Sequence, residues 1–193
     1  MNVLFITHFD GLTGSGRSLI NLIDGLHHFT ISPYVISPKE GRFTQVLQEK
    51  NIPFKITPIP WWMTKRKITI KNKWQFITST WKTSKLITNF MTNNNINLVY
   101  SNSSVYPIGM VVAKNCNIPH IWHLREFGEL HFSLRFLFPK KLCVKFITKS
   151  DAVICNSKAI KNYYFGKETN KKIHVIYNGI SNFHEFNILL HKK

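Results

Sequence analysis

The stretch Asn2-Val-Leu-Phe-Ile-Thr-His-Phe-Asp-Gly-Leu-Thr-Gly-Ser-Gly-Arg-Ser-Leu-Ile-Asn-Leu-Ile-Asp-Gly-Leu26 reads as an apolar strand, a glycine-rich turn and an amphipathic helix. Val3 to Ile6 is apolar without polar alternation, as in a strand buried on both faces. Leu19, Leu22, Ile23 and Leu26 then recur at i, i+3, i+4 and i+7, the spacing of a helix with one apolar face. The pattern repeats outward. Further strands are predicted at Tyr34–Ile36, Phe54–Ile56, Asn97–Tyr100, His120–His123, Ala152–Cys155 and His174–Tyr177. Helical spacing marks Phe43–Lys50, Lys73–Thr92, Val105–Asn115, Pro139–Lys149 and Lys158–Tyr164. Apolar strands separated by helices fit a doubly wound, Rossmann-like α/β domain with a mainly parallel sheet of about seven strands. Such sheets bind ligands beyond the carboxyl ends of their strands.

The chain has 193 residues, 44% of them hydrophobic, with 9 Gly and 8 Pro. That composition excludes disordered and collagen-like chains. No run is long enough to span a bilayer, and the N-terminus lacks the basic flank and apolar length of a signal peptide, so a cytosolic chain is expected. Cys116, Cys143 and Cys155 are spaced for neither a disulfide framework nor a metal site, and are expected to be reduced core residues. With 26 Lys plus Arg against 9 Asp plus Glu, the net charge of +17 calls for an anionic partner. Between Lys50 and Arg125 there is no acidic residue, while Lys65, Arg66 and Lys67 fall there with Trp61, Trp62, Trp74 and Trp81. The apolar residues of the helix at 73–92 cover an arc far wider than the ~100° stripe needed to pack on a sheet. Trp61, Trp62, Lys65, Arg66, Lys67, Trp74 and Trp81 are therefore candidates for contact with an anionic membrane surface. The alternative is a buried helix beside a solvated basic loop. Single-stranded nucleic-acid binding is the less favoured reading, since no RNA-binding signature accompanies the aromatics.

Three motif readings compete at the first turn. A dinucleotide fingerprint starting at Gly14 and Gly16 fails at its third position, Leu19. A P-loop spanning Gly11 to Ser18 has Arg17 in place of its lysine, and Asn97–Asn102 supplies no metal-binding Asp. The third reading is a glycine turn, Gly14-Ser15-Gly16-Arg17, that admits a sugar phosphate or acceptor at a helix N-terminus. A turn whose glycines only satisfy geometry stands beside it. After the fifth strand, His123, Arg125 and Glu126 gather at the edge that faces a crevice. His123 suits a hydroxyl or phosphate, Arg125 a phosphate, and Glu126 the orientation of either. Ser157 is a natural helix N-cap.

Four pieces stand in the order and spacing of the N-terminal half of glycosyltransferase family 4. They are Gly14-Ser-Gly-Arg-Ser18, His123-Leu-Arg-Glu-Phe-Gly-Glu129, Ser150-Asp-Ala-Val-Ile-Cys-Asn-Ser157 and Ile173-His-Val-Ile-Tyr-Asn-Gly-Ile180. The chain resembles that family from residue 1 to about 182. The resemblance implies a GT-B fold, with two Rossmann-like domains facing across a cleft, and transfer that retains anomeric configuration without a metal or other cofactor. Its N-terminal domain holds the acceptor and its C-terminal domain the nucleotide-diphosphate sugar. By that resemblance Gly14, Gly16, Arg17 and His123 take positions at the cleft; His123 is the expected catalytic residue, Gly14, Ser15, Gly16, Arg17, Arg125 and Glu126 are expected to bind substrate or phosphate, and Asn102, Ser103, Asn156, Asn178 and Gly179 are candidates for the cleft.

The chain departs from the pattern at its end. The family's donor domain carries two glutamates separated by seven residues; no Glu pair here has that spacing, and Ser181 stands where the family usually has Asp. The expectation is an acceptor-binding domain at 1–180, a tail or linker remnant at 181–193, and an absent donor-binding domain, with no activity of the chain alone. Expected partners are a sugar acceptor, lipid-linked or polysaccharide, an anionic surface on the inner face of the plasma membrane, and a separate donor-domain chain.

Overall fold

The computed structural model describes residues 1–12, 14–167 and 170–179; the expected tail at 181–193 lies outside them. Seven strands form one parallel sheet: β1 (Asn2–Ile6), β2 (Ser32–Ser37), β3 (Phe54–Ile56), β5 (Leu98–Ser101), β6 (His120–Leu124), β8 (Ala152–Cys155) and β9 (Ile173–Val175), in the order β3-β2-β1-β5-β6-β8-β9. All neighbouring pairs in that sheet are parallel, with Phe5 opposite Tyr100 and Tyr100 opposite Ile121. The chain winds outward from β1 to β3, then returns to β5 on the other side of β1. The carboxyl ends of β1 and β5 therefore part, which opens a crevice there.

Helices cover both faces. Alternate strand residues sort the core: Val3, Phe5, Val35 and Tyr100 meet Leu19, Ile20 and Ile23 of α1 (Gly14–Gly25) and Phe43 and Leu47 of α2 (Arg42–Glu49). Leu4, Ile6, Ile36 and Val99 meet the opposite layer. That layer comprises α3 (Ile70–Asn93), α4 (Ile108–Asn115), α6 (Lys140–Ile147) and α7 (Lys158–Phe165). Gly109 lets α4 close on the sheet, since a Cβ there would stand 2.0 Å from Ser101 Oγ and 3.1 Å from His120 Nε2. Those two atoms are hydrogen-bonded at 2.8 Å.

Three helix-to-strand turns share one device. Asn51, Asn95 and Asn117 adopt positive φ just beyond α2, α3 and α4, and an isoleucine follows each. The amides of Ile52, Ile96 and Ile118 return to Leu47, Met91 and Ala113 carbonyls at 2.8 to 3.0 Å, the bond that closes a Schellman turn. Asparagine is the non-glycine residue that best tolerates this conformation. Ser157 caps α7 as expected, accepting from the Ile160 amide at 3.1 Å.

The structure adds elements that the sequence reading did not contain. A two-stranded antiparallel ribbon pairs β4 (Met63–Thr64) with β7 (Arg135–Phe136), and the short α5 (Glu129–Phe132) precedes β7. Helix α4 begins at Ile108 rather than Val105, because Val105 and Tyr106 are buried in the loop before it. There Tyr106 accepts from the Asn102 amide and donates to the Ile6 carbonyl.

Candidate functional site

The carboxyl ends of β1, β5 and β6 converge on one hydrogen-bonded network. Arg125, immediately beyond β6, donates Nε to Asn102 Oδ1 at 2.5 Å, and Nη1 to Ser18 Oγ and Asn178 Oδ1 at 2.7 Å each. Asn102 in turn donates Nδ2 to the Ser15 carbonyl at 3.3 Å, and Asn156 donates to the Arg125 carbonyl at 3.1 Å. Residues distant in sequence, from the first turn, the ends of β5 and β6, and the segment after β9, are thus joined through one guanidinium. It makes no ion pair among the described residues. Burial pushes the Arg125 pKa down, while Tyr100, Glu126 and Tyr106 push it back up.

A cavity of about 290 Å³ opens at this network, lined among others by Ser18, Tyr100, His123, Arg125, Tyr177 and Asn178. His123 is buried, with Nδ1 2.5 Å from the Tyr100 hydroxyl and with Nε2 unpartnered among the described residues. Burial, reinforced by Arg125, lowers its pKa to about 3, so the ring is neutral near pH 7. A neutral imidazole beside a cation with no carboxylate partner among the described residues suits an anionic or hydroxyl-rich ligand.

The predicted site residues separate into those at the cavity and those behind it. His123, Arg125, Asn178 and Gly179 line it; Ser15, Asn102 and Asn156 hold its frame through the bonds given above. Gly14 and Arg17 are exposed on the first turn of α1, outside the lining. Gly16 is buried, and a Cβ there would stand 2.3 Å from the Gly11 carbonyl oxygen, so this glycine is required by closure of its own loop. Glu126 and Ser103 are corrections to the expected cleft. Both are buried, and Glu126 Oε1 accepts from Ser103 Oγ, from the Ser104 amide at 2.6 Å and from Ser104 Oγ at 2.9 Å. The reason is strand alternation continued past β6: Trp122, Leu124 and Glu126 turn to one face, His123 and Arg125 to the other.

Ser18 and Tyr100 were not singled out as site residues by sequence reasoning. Tyr100 sits at the penultimate position of β5, and Ser18 lies one helical turn beyond Ser15; strand-end position is the signal that marks the tyrosine.

Among the basic aromatic residues, Trp62 is also a correction. It is 4% exposed, stacks on Trp122 at 5.6 Å and donates its indole N–H to the Ser104 carbonyl at 2.7 Å, so it belongs to the core. Lys65, Arg66 and Lys67 are exposed, as is Trp61. On α3, Ile70, Trp74, Ile77 and Trp81 recur at i, i+4, i+7 and i+11 and are 76%, 64%, 47% and 58% exposed. Lys85 Nζ lies 3.6 Å from the Trp81 ring centroid. No helix among the described residues is long and apolar enough to cross a membrane.

The model of Glycosyltransferase Family 4 matches residues 12–182, most of the chain. The chain belongs to glycosyltransferase family 4. No significant match is found among curated proteins. Among solved structures, HepE from Anabaena in complex with UDP and glucose superposes with a TM-score of 0.64 at 18% identity, covering 100% of this chain and 50% of HepE. A glycosyltransferase from Rickettsia africae gives 0.64 at 18% identity, over 99% of this chain and 48% of that one. MurG from Acinetobacter baumannii gives 0.60 at 12% identity, over 93% and 46%. These likenesses establish the fold, the Rossmann-like half of a GT-B glycosyltransferase. This family 4 chain spans about half the length of the solved structures it matches.

Proposed function

We propose that residues 1–180 are the acceptor-binding domain of a retaining, metal-independent glycosyltransferase. In the complete enzyme a facing lobe, following in sequence or separately encoded, holds a nucleotide-diphosphate sugar. The observation that carries this reading is Arg125: a half-buried cation without a carboxylate partner among the described residues, aimed by three neutral oxygens at a cavity beyond the parallel strands. That arrangement supports an acceptor bearing a phosphate or clustered hydroxyls, held by Arg125, with His123 hydrogen-bonding the reacting group. Arg17, exposed on the first turn of α1 outside the lining, adds positive field. The cavity flanks α1 at Ser18 rather than capping its N-terminus, which favours this reading over a degenerate P-loop.

Stabilising the departing diphosphate falls to the donor lobe, so the chain alone binds acceptor without transferring sugar. Purified 1–193 incubated with UDP-glucose and a sugar phosphate is expected to yield no glycosylated product. Transfer above the protein-free blank defeats this division of labour.

The exposed stripe on α3 favours a second element of the reading. Four exposed apolar side chains beside Lys71, Lys82 and Lys85, with Lys65, Arg66 and Lys67 in the preceding loop, support peripheral contact with an anionic membrane. A cytoplasmic protein on the inner leaflet, acting on a lipid-linked acceptor, fits that surface. Nucleic acid is not the expected partner.

A further inference from the structure

Tyr100 lines the cavity yet has no place in the reading above. Its hydroxyl stands 2.5 Å from His123 Nδ1, and the two side chains meet edge to face with ring centroids 5.9 Å apart. Distance alone leaves open which atom carries the proton. The surroundings decide it. The Arg125 guanidinium, which lines the same cavity, lies near enough to the Tyr100 hydroxyl to act on its ionisation. A guanidinium has donors only, so it offers nothing to a phenol proton and draws the phenol's lone pairs toward itself. His123 Nδ1 is the acceptor within reach among the described residues, and the hydroxyl proton turns there. An Nδ1 that accepts is unprotonated, and a neutral imidazole then carries its one proton on Nε2.

We propose that Tyr100 is a positioning residue: polarised by Arg125, it donates to His123 Nδ1 and fixes the ring as the Nε2–H tautomer, which offers the cavity a hydrogen-bond donor for a ligand oxygen. His123 Nε2 is buried and has no partner among the described residues. A buried N–H without an acceptor is unfavourable, and an oxygen of phosphate or hydroxyl class entering the cavity supplies one. His123 therefore orients and polarises its ligand, and does not remove a proton from it. Burial and Arg125 favour the same neutral ring. The identity of that oxygen rests on the acceptor-binding reading; the tautomer does not.

The test is a long-range proton–nitrogen correlation spectrum of the full 15N-labelled chain at pH 7, with His123 assigned from the signals lost in His123→Gln. The expected pattern is a pyrrole-type Nε2 and a pyridine-type Nδ1. A pyrrole-type Nδ1 overturns the proposal. Tyr100→Phe, checked for an unchanged thermal midpoint, is expected to move His123 to a mixture of tautomers; a folded Tyr100→Phe chain with the wild-type pattern overturns the part given to Tyr100. If that variant does not fold, the wild-type spectrum still decides the tautomer, and Arg125→Met tests the relay, expected to loosen the same preference and overturning it if it does not. An Nε2–H pattern in a chain whose cavity binds no sugar phosphate retires the acceptor reading and leaves this assignment standing.

Discussion

Lowering the pH from 7 to 5 should cost this fold most of its stability. His8, His120 and His123 are buried, and burial lowers each from the ordinary 6.5 to about 3. Because the folded value lies below the unfolded one, each ring's contribution is complete above pH 6.5 and is lost as the pH falls toward 3. Between pH 7 and pH 5 only the unfolded chain takes up these protons, which costs about 2 kcal/mol per ring and about 6 kcal/mol for three. Domains of this kind are stable by roughly 5–15 kcal/mol, so the loss is comparable to the whole. Glu126 runs the other way: burial raises its pKa, so its protonation favours the folded state on acidification, one carboxyl against three imidazoles. Urea unfolding followed by far-ultraviolet circular dichroism at both pH values reads the difference. His8 offers the control, since its ring packs against Phe9, Trp61 and Tyr106 and its Nδ1 has no hydrogen-bond partner among the described residues. His8→Phe should reduce the pH-dependent loss to about 4 kcal/mol. Equal urea midpoints at pH 7 and pH 5 in the wild-type chain would refute the reasoning.

Gly109→Ala drives a methyl into the Ser101–His120 hydrogen bond and is expected to destabilise by about 1–3 kcal/mol, measured by urea unfolding at pH 7; wild-type stability contradicts the close approach of α4. Trp62→Ala removes a buried indole stacked on Trp122 and should cost about 3–5 kcal/mol by the same measurement. The double change Trp74→Ala with Trp81→Ala should leave the midpoint nearly unchanged while reducing co-sedimentation with anionic liposomes, an attraction that added salt also weakens. Undiminished sedimentation of that variant counts against interfacial insertion.

The fold was legible because a parallel sheet covered on both faces forces its strands to be apolar throughout, as Val3–Ile6 and Ala152–Cys155 are. Two-residue strands such as Met63–Thr64 carry no period and could not be read. The three Asn-Ile turns were available as a repeated dipeptide beyond each helix, and went unread because Asn signals loops in general. Trp62 and Trp74 look alike in a basic aromatic segment; only the Trp122 ring, sixty residues beyond Trp62, separates core from surface. At the site, strand-end position brought out His123 and Arg125, while the period of two that sends Glu126 to the opposite face was present in the sequence and unused. The partners of Arg125 lie 107, 23 and 53 residues away, and only the fold assembles them.

The central claim is that the cavity beyond β1, β5 and β6 receives the acceptor and not the nucleotide. Titrating the 15N-labelled chain with a soluble sugar phosphate, and separately with UDP, tests it most directly by amide and side-chain shifts. The account predicts saturable shifts at Ser18, His123, Arg125 and Asn178 with the sugar phosphate and none there with UDP. Saturable shifts at those residues with UDP, or none with the sugar phosphate, would contradict it.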